Sequence, residues 1–182
     1  MALITSSVKS SDEIFEHEDG WLETTIRKAE YGTSDKGKKY LDVWFDGLPD
    51  KVNARCFATV NGKTKEEFRI RNWFRFSNGG VESCKDGMLQ HDDDPQNLIG
   101  MPINVLVFHN NKGYVDIFRE PAPMVMNTDE QEYTEKNVQY WKNKAVMSLK
   151  SYMAYFASQD IANFVTPTND IPVANGGDNT PF

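Results

Sequence analysis

The chain has 182 residues, with 27 acidic against 20 basic side chains, a net charge of −7 and two cysteines. That length buries a core without disulfide or metal support, and two cysteines are too few for a disulfide scaffold or a zinc site. No apolar run approaches membrane-spanning length, and the opening MALITSSVKSSDEIF lacks a basic region followed by a long apolar one; the expectation is a cytoplasmic protein with no membrane partner.

The charge is unevenly spread. Acid gathers near the start (Asp12 to Asp19), at Asp92, Asp93 and Asp94, and at Asp129 to Glu135, whereas Lys51, Arg55, Lys63, Lys65, Arg69, Arg71 and Arg75 face only Glu66 and Glu67. An acidic protein with a basic centre keeps an anionic partner open.

Residues 1–19 form an N-terminal extension with little periodicity, in which Ser10 and Glu13 could box the start of a short helix around Ile14 and Phe15. The run WLETTIRKAEY then alternates as a strand, with Leu22, Thr24 and Ile26 inward and Thr25, Arg27, Ala29 and Tyr31 outward. GTSDKGKK is a hairpin loop that projects Lys36, Lys38 and Lys39. In the second strand Leu41, Val43 and Phe45 face the core against Tyr40, Asp42 and Trp44. In the third, Val52, Ala54, Cys56, Ala58 and Val60 face it against Asn53, Arg55 and Phe57. The exposed side therefore carries Tyr40, Trp44, Arg55 and Phe57, large rings beside a guanidinium, which packing alone does not call for.

Residues 64–80 carry two competing patterns. As a strand, Phe68, Ile70, Phe74 and Phe76 alternate with Arg69, Arg71, Trp73 and Arg75; as a helix, Thr64 and Glu67 open it and Gly79 or Gly80 closes it. The helix is favoured because both ends carry signals. Val81 to Leu98 reads as a long polar loop. A second hairpin follows, with Ile103, Val105 and Val107 inward, a turn at Asn110 to Gly113, and Val115 and Ile117 inward. After a connector, Val138, Trp141, Ala145, Leu149, Tyr152 and Phe156 recur at helical spacing. This stripe fits packing on the body of the protein or on a second copy. The last residues, 166–182, are rich in Pro, Gly, Asn and Asp and are expected to be a disordered acidic tail.

Five strands with an interruption after the third match the connectivity of an OB-fold barrel, a mainly β domain spanning 20–123, followed by a connector and C-terminal helix over 124–165. Stacking on the rings and phosphate neutralisation by the cations would capture a single nucleic-acid strand without regard to sequence. The contact set is Arg27, Tyr31, Lys36, Lys38, Lys39, Tyr40, Trp44, Arg55 and Phe57, with Arg69, Arg71, Trp73, Arg75 and Tyr114 as a second tier. Trp44 and Phe57 are the strongest stacking candidates.

The runs IRKAEYGTSDKGKKYLDVWF and NLIGMPINVLVFHNNKGYVDIFREPAP resemble the opening and closing hairpins of phage-type single-stranded DNA-binding proteins. The resemblance implies an OB-fold that protects single-stranded DNA in phage replication and recombination, inside the host cytoplasm, with no catalysis, cofactor or metal. The ending Asp178-Asn179-Thr180-Pro181-Phe182 is similar to tails of such proteins that recruit replication or recombination partners. Asp178, Pro181 and Phe182 would do so here, although the consecutive acids of the bacterial pattern are replaced by Gly176-Gly177-Asp178-Asn179. An alternative is an OB module that grips a host or replication protein with the same face. A metal-dependent nuclease using His91, Asp92, Asp93 and Asp94, or Asp42, Asp46 and Asp116, stands third, because adjacent loop residues rarely converge on one ion.

Overall fold

The structure is a computed structural model that describes residues 15–165, with side chains through residue 159. The capping box at Ser10 and Glu13 and the tail residues Asp178, Pro181 and Phe182 lie outside the described residues; Phe15 to Glu18 have no regular secondary structure, and Phe15 packs against the core.

The fold is mainly β with a C-terminal helix. Strands β1 (Gly20–Thr33), β2 (Lys39–Phe45), β3 (Ala54–Phe57), β6 (Pro102–His109) and β7 (Val115–Ile117) form one antiparallel sheet in the order β3-β2-β1-β6-β7, with β3 and β7 as its edges. The sheet is open: its five strands follow the expected connection order, but no ladder joins β3 to β7, so the closed barrel expected from the sequence is not seen. Between β3 and β6 the chain forms helix α1 (Arg69–Ser77) and a separate hairpin of β4 (Val81–Lys85) and β5 (Met88–His91). After β7 come the short pair β8 (Met126–Asn127) and β9 (Glu132–Tyr133), then helix α2 (Glu135–Val165).

The length of β1 lets it serve two partners. Gly20 to Thr25 pair with β6, Ile26 to Thr33 pair with β2, and a bulge sits at the changeover, where Ile26 lies opposite Phe45 but Lys28 opposite Trp44. Arg27 is the extra residue. A bulge reverses the side-chain phase beyond it, so Ala29 is buried and Tyr31 packs on the core, instead of both facing outward with Arg27. In β2 and β3 the alternation holds: Leu41, Val43, Phe45, Ala54 and Cys56 are fully buried. The third strand stops at Phe57, however, and Val60 is exposed and forms only an isolated bridge to Glu67.

Residues 69–77 are helical, as the end signals favoured, and the burial of Ile70, Trp73, Phe74 and Ser77 follows helical spacing. The start differs from the sequence expectation. Thr64 does not cap the helix; the Glu67 carboxylate does, accepting from the Ile70 N–H at 2.8 Å and the Arg71 N–H at 3.0 Å. Asn78, at φ 60°, ends it one residue before the glycines expected to.

The stretch expected to be a loop, 81–98, is instead the β4–β5 hairpin followed by a 3-10 turn at Pro95–Leu98. Asp86 and Gly87 both have positive φ, 53° and 74°, as a two-residue hairpin turn requires. The acidic triplet then builds the next turn: Asp94 accepts from the Gln96 N–H at 2.9 Å, and Asp92 accepts from the Asp94 N–H at 3.1 Å.

Strand β6 is buried on both faces. Ile103, Val105 and Val107 join the main core under α1, while Leu106 and Phe108 form a second cluster with Phe118. Trp21, Val146, Leu149, Tyr152 and Met153 pack on that cluster, so α2 lies on its own sheet. Thr134 caps α2, its Oγ1 accepting from the Asn137 N–H at 3.3 Å while Asn137 Oδ1 accepts from the Thr134 N–H at 2.9 Å. No helix among the described residues is long and apolar enough to cross a membrane.

Candidate functional site

The outer face of β2 and β3 carries a cross-strand ladder of rings and charges. Tyr40 lies directly opposite Phe57, and the rings meet edge to face with centroids 5.6 Å apart. One rung on, Asp42 faces Arg55, whose Nε and Nη2 donate to the two carboxylate oxygens at 2.8 and 2.7 Å. This bidentate bond holds the Arg55 guanidinium above its ordinary pKa. The same guanidinium lies 4.1 Å from the Tyr40 ring centre, and the Lys38 ammonium 5.6 Å from that of Phe57. Gly32, across from Tyr40 on β1, makes this arrangement possible. A Cβ there would lie 2.3 Å from Tyr40 Cζ, so the bare backbone is the floor on which the ring rests.

Trp44 belongs to the same face but is more restrained. Its Nε1–H donates to the Asp50 carbonyl at 3.0 Å, and the Lys28 ammonium sits 4.5 Å over the ring. Lys36 is exposed in the β1–β2 loop and Tyr114 is exposed at the β6–β7 turn.

Several expected contact residues are placed elsewhere. Arg27, in the bulge, fastens the turn after β2: its Nε donates to the Phe45 carbonyl at 3.0 Å, and it pairs with Asp50. Tyr31 is turned to the opposite side of the sheet from Tyr40, where its hydroxyl donates to the Asp93 carbonyl at 2.9 Å and burial pushes its pKa up. Lys39 follows it, its ammonium 3.8 Å from the Tyr31 ring centre. Together with Arg71 and His91 they line a separate cleft of about 360 Å³. Arg71 also pairs with Glu66 at 2.9 Å.

Trp73 has no exposed surface: it lies in the core with its ring centre 6.0 Å from that of Phe45, and its Nε1–H donates to the Arg119 carbonyl at 3.2 Å. A fully buried indole cannot stack on a base, so its assignment as a contact is corrected. Arg75 sits among Phe76, Tyr133 and Trp141, locking α1 to α2. Arg69 is nine-tenths buried, with Nη1 donating to Thr59 Oγ1 at 3.2 Å and Nε 3.9 Å from the Glu120 carboxylate.

Sequence reasoning missed Arg119, and placed Tyr152 only on the packing stripe of the C-terminal helix. The Arg119 guanidinium lies 5.3 Å from the Tyr152 ring centre, and its pKa is lowered by burial and by neighbouring Arg69. Nothing local predicts that the two come together; they meet because α2 packs on β6. Two carboxylates of the nuclease reading have separate partners: Asp42 is held by Arg55, and Asp116 by its neighbouring Ile117 N–H at 2.8 Å and by Asn110. Among the described residues no three His, Cys, Asp or Glu side chains are grouped to hold a metal ion.

No protein-family model matches this chain, and no curated protein matches it.

Proposed function

We propose that the outer face of β2 and β3 captures single-stranded DNA without regard to sequence, and that the five-stranded sheet is an OB-type domain. The observation that carries this reading is the Phe57–Tyr40–Arg55 ladder, two rings and a guanidinium presented on an outer sheet face with Lys38 beside them. Every base offers a flat π-face, so rings on a cationic surface stack on any sequence, each contributing about 1–3 kcal/mol. The strand order supports the domain assignment, since a meander of three strands, a helix and a returning hairpin is the OB arrangement. In that fold, the face of strands two and three and the loops after strands one and four meet oligonucleotides. Those loops carry Lys36 and Lys38 at one end and Tyr114 at the other. The function is binding and protection of single strands in DNA replication or recombination, with Pro181 and Phe182 of the tail recruiting partner proteins.

The test is a tryptophan-fluorescence titration with a long oligothymidine and a matching duplex, at low and moderate salt, on the wild type and on Tyr40→Ala and Trp44→Ala. Saturable quenching by the single strand alone is expected. Neutralising about five phosphates gives a log–log salt slope near −3.5, and Tyr40→Ala weakens binding. A protein that responds to neither nucleic acid would overturn the reading, and the same face would then be examined as a protein-binding surface.

A further inference from the structure

One cleft opens beside the ring-bearing face, a second lies between the two helices, and one arginine lines both. The first, about 290 Å³, has Arg55 and Phe57 of β3 on one wall and Phe118, Arg119 and Tyr152 on the other. The second, about 230 Å³, lies between α1 and α2 and is lined by Arg69, Asn72, Arg119, Glu120, Lys144 and Ser148. Three cations there face one carboxylate, in a protein whose net charge is −7.

The cations are also incompletely satisfied. The Nε atoms of Arg69 and Arg119 are buried without a hydrogen-bond partner, and Arg69 is itself nine-tenths buried. Buried guanidinium nitrogens without acceptors are costly, and Glu120 approaches Arg69 Nε only at 3.9 Å. An anion with several acceptor oxygens in the cleft would balance the charge of both arginines, with Ser148 and Asn72 as neutral donors at its edge. Lys144, exposed on α2, overhangs the mouth with its ammonium 4.8 Å from the Trp141 ring centre.

We infer that the cleft between α1 and α2 is a phosphate subsite of the same single strand. The strand leaves the ring face past Phe57, passes Arg119 and Tyr152 at the β3–β7 opening, and places a backbone diester against Arg119, Arg69 and Lys144. This rests on the reading of the ring face as the single-strand site. It assigns α2 a second task beyond covering β6, as one wall of the path.

The test is fluorescence anisotropy with labelled oligothymidines of about 4 and about 16 nucleotides, the span of site sizes for such domains. It compares wild type, Lys144→Glu, Arg119→Gln and, as a charge-matched control on the same helix, Lys136→Glu. Lys144 is exposed, so its variant reports even where Arg119→Gln folds poorly. The expected result is about a tenfold loss for the long oligonucleotide in Lys144→Glu, with the salt slope shallower by about 0.7 per lost phosphate contact. The short oligonucleotide and the control stay unchanged. Unchanged long-strand affinity in Lys144→Glu and Arg119→Gln, beside a binding-competent wild type, overturns the inference alone; so does an equal loss for short and long strands. Thermal stabilisation by inorganic pyrophosphate that Lys144→Glu abolishes, without any change in oligonucleotide affinity, would show a free-phosphate site and likewise overturn the strand path. A wild type that binds neither oligonucleotide removes the ring-face reading and this inference together.

Discussion

Tyr40 rests on the bare backbone of Gly32 directly across the strand pair, so closely that a Cβ at Gly32 would fall 2.3 Å from Tyr40 Cζ. The atoms met are the far end of the ring, which can swing away. Gly32→Ala should therefore change stability by less than about 1 kcal/mol, the added propensity of alanine in a strand offsetting part of the strain. The swing would take Tyr40 off Arg55 and Phe57. Single-strand affinity should fall several-fold while the melting temperature barely moves, measured by anisotropy and thermal unfolding on the same sample; a loss of both in parallel would mean that Gly32 serves the fold alone.

Asp42 is buried under Arg55 and cancels much of its charge. Asp42→Asn keeps the shape, frees the guanidinium for phosphate and removes a carboxylate from the face. It should tighten single-strand binding and steepen its salt dependence, whereas Arg55→Met should weaken binding. Arg55→Met also strands the buried carboxylate, costing about 1–2 kcal/mol of stability after allowance for the half-exposed arginine. Weaker binding by Asp42→Asn would contradict this electrostatic account.

How much of this was legible in the sequence depended on whether a residue's position was set locally. Alternation located Leu41, Val43, Phe45, Ala54 and Cys56 inside and Tyr40, Arg55 and Phe57 outside, because period two survives wherever the ladder is regular. It misplaced Tyr31 and Ala29, because one extra residue at Arg27 reverses the phase and no glycine announces that bulge. The β4–β5 hairpin did carry its signal, Asp86-Gly87, but neither strand buries a residue and Met88 beside the turn is exposed, since the hairpin is a satellite with little to bury. Arg119, Lys144 and Tyr152 could not be grouped in advance; the packing of α2 on Leu106 and Phe108 brings them together.

Trp73 shows the cost of reading one face from alternation in a segment that folds as a helix. Fully buried against Phe45, it should be shielded from iodide, while Trp44, with part of its ring exposed, is quenched. Trp73→Ala should cost about 3–5 kcal/mol through the cavity it leaves, and Trp73→Phe should retain the oligonucleotide-induced fluorescence change. Loss of that change in folded Trp73→Phe would place the reporting indole in the core and not on the face.

Cys56 and Cys84 should differ sharply toward thiol reagents. Burial, with the nearby Glu67 carboxylate, pushes the Cys56 pKa up to about 12, whereas Cys84 is exposed on β4. Only the thiolate reacts, so iodoacetamide at mildly alkaline pH should label Cys84 alone in the native protein and both thiols in denaturant, counted by mass spectrometry. Native labelling of Cys56 would reveal opening of the sheet near β3.

Two histidines should tilt stability in opposite directions with pH. Burial chiefly, and then repulsion by Arg71 and Arg75, holds His91 below its ordinary value of 6.5. Its folded form binds fewer protons than the unfolded chain, so its contribution is present above pH 6.5 and is lost as pH falls toward the folded value. His109 is raised instead, first by its bond to Asp19 at 2.6 Å and then by Glu16; its contribution is complete below pH 6.5 and is lost as pH rises through the raised value. Thermal unfolding from about pH 5 to pH 8, the range where histidine titrates, separates them. His91→Gln should flatten the acid side of the profile and His109→Asn the alkaline side. Superimposable profiles for wild type and His91→Gln would show that the imidazole of His91 titrates as freely in the folded protein as in the unfolded chain.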